Sequence, residues 1–317
     1  FVGAAYRQKA YRTLNEVDKI LREYEDVSES MLSCDYNGDG MTEYICRMQN
    51  YFACINLAGG AVLELDVMRG AGNFADNLVR VKEFEGYDDG YQRGLFTDHL
   101  FTAREFKNYL ENRPAGTGIF SKLMYSEKKF NRQHRELELT VSALYRNAQK
   151  ITLRKRYAVT SGGMTVQYIL KNESAEPLSA KLAVESSFAQ TNFNPDDFNA
   201  FKLEIAADGQ RREIDTKTSS KTLNPDGMIR DVEVVQLTDT DNGVSFVFEP
   251  NEASGFSFIP IIFKRPEYAS GNLVEAGMTF ASALFWDVSL EAGREMEKTV
   301  NFSIFNEHKR RKGKNSV

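Results

Sequence analysis

The feature that most constrains this chain is a two-residue hydrophobic period that recurs from about residue 43 to residue 305. "RELELTVSALY", Arg135 to Tyr145, sets Leu137, Leu139, Val141 and Ala143 against Glu136, Glu138, Thr140 and Ser142. Successive side chains of a strand point to opposite faces, so such a segment reads as a strand with one buried face. "MTVQYIL", "AKLAVESSFA", "VEVVQL", "GVSFVFEP", "GFSFIPIIF", "MTFASALFWDVSL" and "KTVNFSIF" behave similarly. The pairs Asn242–Gly243, Asp208–Gly209 and Asp226–Gly227 bound several of them. Asn-Gly and Asp-Gly favour the positive-φ turns of hairpins, and the pattern predicts roughly fifteen strands. These strands do not alternate with helices, which excludes a βαβ arrangement. Antiparallel sheets packed face to face, a mainly β architecture with one large β-sandwich, are what remains. One interruption, "GLFTDHLFTAREFKNYLENRPAG" (Gly94 to Gly116), holds a short helical stretch.

The N-terminal segment has a different period. Tyr6, Ala10, Leu14, Val17, Leu21 and Tyr24 recur at spacings of three and four, which predicts an amphipathic helix. Its stripe must be buried against something, either the following domain or one that precedes it. The expected organisation is therefore a helical linker over residues 1–27 and a β-sandwich over 28–317. A basic tail begins at about residue 307; its run "HKRRKGK" (His308 to Lys314) reads as a solvated terminus. The first residues, "FVGAAYRQKAYR", lack a Met, so the chain is expected to be cut from something longer.

Composition excludes several function classes. At net charge −5 the chain lacks the concentrated positive face that nucleic acid requires. No stretch approaches the roughly 20 apolar residues of a membrane span. The three cysteines, Cys34, Cys46 and Cys54, form no CxxC, and His99 is the nearest histidine in sequence, which argues against zinc. An odd count argues against a disulfide scaffold. They read as buried free thiols of a reducing, cytoplasmic compartment. "GAGNFADN" (Gly70 to Asn77) is Gly-rich, but no βαβ unit surrounds it, so nucleotide binding is not expected.

"CDYNGDGMTEY", residues 34 to 44, is the densest chemistry in the chain. Asp35, Asn37, Asp39, Met41 and Glu43 stand at positions 1, 3, 5, 7 and 9 of a calcium-loop spacing, with Gly40 at position 6. Position 12 is Cys46, not the bidentate Glu of an EF-hand, and strand-like sequence follows. The reading is a short Ca²⁺ loop between β elements, because three carboxylates this close repel one another without a cation. The alternative is a polar Asx turn open to water. Acid–base catalysis is the weakest reading, since a tight turn supplies no cleft.

A second cluster is Asp98–His99 with Arg80 and Glu83. Such residues suit carbohydrate binding, or proton transfer at a sugar carbon, but a hydrogen-bonded structural His is the commoner outcome. Trp286 can stack on a sugar face, although its neighbours alternate like a buried strand. Phe188, Phe193, Phe198 and Phe201 lie beside Asn and Asp, which suits either a carbohydrate surface or a loop packed over the sandwich edge.

The order of several stretches resembles the C-terminal, non-barrel part of glycoside hydrolase family 57, which comprises α-amylases and 4-α-glucanotransferases. They are "YRQKAYRTLNEVDKILRE", "DYNGDGMTEYICRMQNYFACINLAGGAVLELDV", "NFADNLVRVKEFE", "GLFTDHLF", "LRKRYAVTSGGMTVQYILKNES" and "AVESSFAQTNF". Each is loose alone; their order and spacing carry the match. The resemblance implies a supersandwich of the galactose-mutarotase-like kind, preceded by a helix that leads in from a catalytic barrel. It also implies that the nucleophile and acid/base lie in that barrel, so no catalytic residue is expected here. The expected function is a non-catalytic C-terminal domain of an α-glucan-active hydrolase or transferase. Its partner would be the N-terminal barrel of the same protein, which it would stabilise while extending the carbohydrate-binding surface. The alternatives are a mutarotase-like epimerase using His99, or a free-standing carbohydrate-binding module.

Overall fold

Inward and outward residues alternate along the strands as the two-residue period requires. In Gln149–Thr160, for example, Ile151, Leu153, Tyr157 and Val159 are buried while Lys150 and Arg156 face solvent. The structure is a computed structural model and describes residues 4–306 other than 26–28, 69–71, 76, 81, 83–85, 87, 114–117, 190–200, 215–226 and 268. Glu83, Phe193, Phe198, Asp226 and the basic tail lie outside the described residues.

A 22-residue helix, α1 (Ala4–Glu25), leads into a five-stranded sheet of β1 (Ser30–Cys34), β2 (Glu43–Arg47), β3 (Tyr51–Asn56), β4 (Val62–Val67) and β5 (Gly72–Asn73), paired in chain order. A 13-stranded sheet follows. Its strands are β6 (Thr97–Phe101), β7 (Ser126–Asn131), β8 (Glu136–Tyr145), β9 (Gln149–Thr160), β10 (Gly163–Asn172), β11 (Leu178–Ala189), β12 (Phe201–Ala207), β13 (Gln210–Ile214), β14 (Ile229–Asp239), β15 (Val244–Pro250), β16 (Ser254–Pro266), β17 (Leu273–Leu290) and β18 (Glu295–Asn306). Their order is β6-β11-β17-β16-β14-β15-β18-β10-β9-β8-β7, with β12 and β13 branching from β14. All pairings among these strands are antiparallel. The fold is thus a large antiparallel β-sandwich preceded by a helix.

Aromatic side chains hold the layers together. Phe96 meets the rings of Phe302 and Phe248 at 5.6 and 6.0 Å, and Phe246 joins Phe74 and Phe188 at 4.8 and 4.9 Å. Each buried Phe contributes about 1.5–3 kcal/mol over leaving it exposed. Tyr51 of β3 donates to the carbonyls of Thr160 and Gly163 at the β9–β10 hairpin, and Tyr157 of β9 to that of Gly60. The large sheet also curls, so that its distant members meet: the Tyr145 hydroxyl on β8 donates to the Phe101 carbonyl on β6 at 3.1 Å.

Turn chemistry works as expected at one pair, whereas at Asn242–Gly243 only Gly243 takes positive φ, 66°, in the longer loop between Asp239 and Val244. Asp208 and Gly209 both take positive φ, 51° and 69°, and join β12 to β13 as a two-residue hairpin loop that sets Ala207 opposite Gln210. The interruption after Gly94 contains α2 (Ala103–Leu110), where Thr102 and Glu105 form a reciprocal capping box. Thr102→Ala should cost the chain about 1 kcal/mol in a urea titration, the usual loss for an N-cap oxygen.

Three details depart from the sequence expectation. A strand, β1, precedes residue 43, where the expected strands begin, and the acidic loop links it to β2 as a hairpin. "SMLSC" is too short and polar for periodicity to reveal it, and its partner strand supplies the apolar surface. Cys34, at the end of β1, is exposed, whereas Cys46 and Cys54 are buried; all three are free thiols. Finally, α1 lies along β4 and β5 through its polar flank. Asn15 is buried, Arg22 pairs with Asp18 and donates to the Met48 carbonyl, and Arg47 pairs with Asp18. The apolar stripe faces away: Leu14, Val17, Ile20, Leu21 and Tyr24 are between 45% and 90% exposed.

Candidate functional site

Asp98 and His99 are sequence neighbours on β6, and a strand sends neighbours to opposite faces. The structure therefore separates the pair that the sequence suggested as a unit. Each joins a different buried cluster.

On the face covered by α2, His99 stacks on Phe101 at 5.0 Å and meets the edge of Tyr91. Its Nδ1 accepts from the Gly118 amide at 3.2 Å, so the proton of the neutral ring is assigned to Nε2, which faces Glu185 at 3.5 Å. Glu185 lies on β11 opposite Thr97 and so shares the His99 face. It accepts from Arg93 at 2.8 Å, from the Tyr91 hydroxyl at 3.0 Å and from the Ser187 hydroxyl at 2.8 Å. Burial pushes this carboxyl up, but the Arg93 guanidinium and His99 outweigh it and hold the group well below its ordinary value. Arg93 also forks onto Asp89 at 2.7 and 2.9 Å. Arg80 reaches the same carboxylate at 2.7 Å and the Asn112 amide oxygen at 2.7 Å. Burial raises the Asp89 carboxyl and the two arginines more than reverse it. Two arginines and two carboxylates balance in charge here.

On the opposite face, toward the main core, Asp98 meets Lys155 of β9 at 2.9 Å and accepts from the Tyr125 hydroxyl at 2.7 Å. Both side chains are fully buried. Burial pushes Asp98 up and Lys155 down.

Neither cluster has the form of an acid–base site open to substrate. His99, Glu185, Asp98 and Lys155 expose no surface, whereas a proton-transfer group must reach the substrate within hydrogen-bond distance. Arg80 is buried in its ion pair with Asp89, and Trp286 is a core residue of β17. The residues that sequence reasoning missed are Asp89, Arg93, Tyr125, Lys155 and Glu185. Lys155 had a signal: it occupies the inward parity of "ITLRKRYAV", between Leu153 and Tyr157.

The acidic loop is held by its own side chains. Asp35 Oδ2 accepts from the Gly40 amide at 3.0 Å, Asn37 Oδ1 from the Asp39 amide at 2.8 Å, and Asp39 Oδ1 from the Met41 amide at 2.8 Å. Glu43 is buried and accepts from the Tyr36 amide at 2.8 Å and the Asn56 side chain at 3.1 Å. The Asn37 amide nitrogen lies 3.0 Å from Asp39 Oδ2 and 3.4 Å from Glu43 Oε1. This amide nitrogen bridges the two carboxylates. Among the described residues, no group of three or more His, Cys, Asp or Glu stands close enough to hold a metal ion. No helix among them is long and apolar enough to cross a membrane.

Comparison with known proteins places this geometry. The chain aligns with a 4-α-glucanotransferase from Thermococcus litoralis at TM-score 0.67 and 18% identity, over 94% of this chain and 42% of that one. It therefore spans less than half the length of that relative. Galactose mutarotase-like proteins from Lactobacillus casei and Clostridium acetobutylicum align at TM-score 0.52 and 11% identity, over 87% of this chain and 100% and 98% of theirs. At these identities the likeness is one of fold. No curated protein matches the sequence. A family model described as "Alpha-amylase/4-alpha-glucanotransferase, C-terminal" matches residues 86–261, a span that takes in Asp89, Arg93, both residues of the β6 pair and the strands that bury them. The chain belongs to the α-amylase/4-α-glucanotransferase C-terminal domain family.

Proposed function

We propose that the chain is the non-catalytic C-terminal part of an α-glucan-active hydrolase or transferase of the cytoplasm, and that it works by docking against the catalytic domain that precedes it. The observation that carries this reading is the outward stripe of α1. Leu14, Val17, Ile20, Leu21 and Tyr24 form a continuous apolar face on a helix whose polar flank already packs on the sandwich. An apolar patch of this kind on a folded domain marks an interaction site. The sealed clusters around His99 and Asp98 support the same reading, because they brace β6 and keep their own acid, base and amine groups from the surface. Incubated with glucose, the chain should interconvert anomers no faster than buffer; a rate that His99→Ala abolishes would favour the mutarotase-like alternative.

Two further roles belong to this reading. Carbohydrate binding is one: retarded migration in a glycogen-containing native gel would support it, and migration equal to that in a plain gel would exclude it. Calcium is the other. Asp35, Asn37, Asp39 and Glu43 supply hard oxygens, and Met41 a backbone carbonyl, in a loop now bridged by the Asn37 amide. A Ca²⁺ ion would replace that amide as the bridging positive charge. Millimolar Ca²⁺ should then raise the melting midpoint and chelator should reverse the rise, since a ligand held only by the folded state stabilises it. An unchanged midpoint would leave the loop a self-bonded turn.

A further inference from the structure

β6 and β9 stand far apart in the order of the large sheet, yet they face each other across the core. One pair of complementary reactive groups joins them. Lys155 Nζ lies 2.9 Å from Asp98 Oδ2, and both side chains are fully buried. Nζ also donates to the Phe96 carbonyl and lies 5.3 Å from the ring centres of Tyr157 and Tyr168 and 6.0 Å from that of Tyr125. Tyr125 donates its hydroxyl to Asp98 Oδ2 at 2.7 Å, whereas Asp98 Oδ1 is buried with no hydrogen-bond partner. As an ion pair this arrangement is poor, because a buried carboxylate needs its remaining lone pairs satisfied. Burial favours the carboxylic acid and the free amine, the two forms that condense with each other.

We propose that Lys155 and Asp98 condense into an intramolecular amide that clamps β9 to β6. The lone pair of Nζ attacks Cγ of the protonated Asp98 side chain. The Nζ–Cγ bond forms and the Cγ–Oδ1 bond breaks. Oδ1 leaves as water, carrying the acid proton and one proton from the amine. Oδ2 already accepts two hydrogen bonds, so the unpartnered Oδ1 is the oxygen placed to hold the acid proton and depart. No oxidant or cofactor is required. The product's partners are already in position: the Phe96 carbonyl accepts from the amide N–H, and the Tyr125 hydroxyl donates to the amide oxygen. Fixing the two groups in contact inside the buried core supplies the proximity that an ordinary acid and amine lack in water. The clamp would bridge positions 57 residues apart, at the place where the curled sheet closes on itself.

The test is the intact mass of the purified chain under denaturing, reducing conditions, followed by a peptide map. The expected result is a mass lower than the sequence mass by one water. Digestion should yield a branched peptide joining the segments that carry Asp98 and Lys155, with no tryptic cleavage after Lys155. Lys155→Arg and Asp98→Ala should each show the full sequence mass. A wild-type chain at full mass would overturn the proposal. So would a water loss that maps to an Asp-Gly pair such as Asp208–Gly209, where a succinimide forms by the same mass change. The wild-type map decides the matter even if neither variant folds.

Discussion

Replacing Arg93 by Ala should destabilise the chain by about 3–5 kcal/mol, the range for breaking a buried pair by removing one partner. Domains of this kind have about 5–15 kcal/mol in total, so the loss is a large fraction of their stability. The cause is specific. Arg93 is bonded to both carboxylates of the outer cluster: it reaches Glu185 through one nitrogen and Asp89 through two others. Without it Asp89 keeps Arg80, but Glu185 keeps hydrogen bonds only from the Tyr91 and Ser187 hydroxyls among the described residues. Arg93→Lys should recover part of the loss, because an ammonium keeps the charge but not the fork. Urea unfolding curves at neutral pH measure both. The same cluster sets an acid limit. Glu185 and Asp89 have folded-state values held below their ordinary 4.5 and 3.8. Groups depressed in this way add stability at pH values above the unfolded-state value, and that stability is lost as the pH falls below it. Unfolding free energy should therefore fall with acid below about pH 4.5 in the wild type. In Glu185→Gln the slope should be shallower.

The second large effect concerns the α1 stripe. Val17→Asp combined with Leu21→Asp should leave the melting midpoint of the chain itself within the small change typical of surface substitutions, about 0.5 kcal/mol. Both side chains already face solvent, at 50% and 45% exposure. Carried into a protein that includes the preceding catalytic domain, the same double change should sharply lower the temperature at which activity is lost. It would place two charges in the middle of the docking face, and a charge left unpaired at a buried contact is costly. A large drop in the midpoint of the isolated chain would show instead that the stripe is covered by the sandwich.

The strands were legible in the sequence wherever one face is buried and the other solvated, as in "RELELTVSALY", where burial follows parity from Leu137 to Ser142 except at Glu138, which Lys128 and Arg156 cover. β11 was harder to read: Leu182 to Phe188 is buried on both faces, so Glu185 appeared inside an apolar run with no outward parity to explain it. The helix was visible from its period, but not its orientation. A helix with one apolar face ordinarily turns it to its own domain; here Asn15, Asp18 and Arg22 take that place. The site partners were hidden for a different reason. Arg80 finds Asp89, His99 finds Glu185 and Asp98 finds Lys155, at separations in sequence that no local spacing encodes. Only the alternation of β6 could have warned that Asp98 and His99 do not act together.

The most direct test of the central claim is to incubate the purified chain with a linear α-1,4-glucan oligosaccharide and follow the product sizes by chromatography. A domain that works only by docking leaves the oligosaccharide at its starting length at every time point. Shorter or longer products that co-purify with the chain would contradict it.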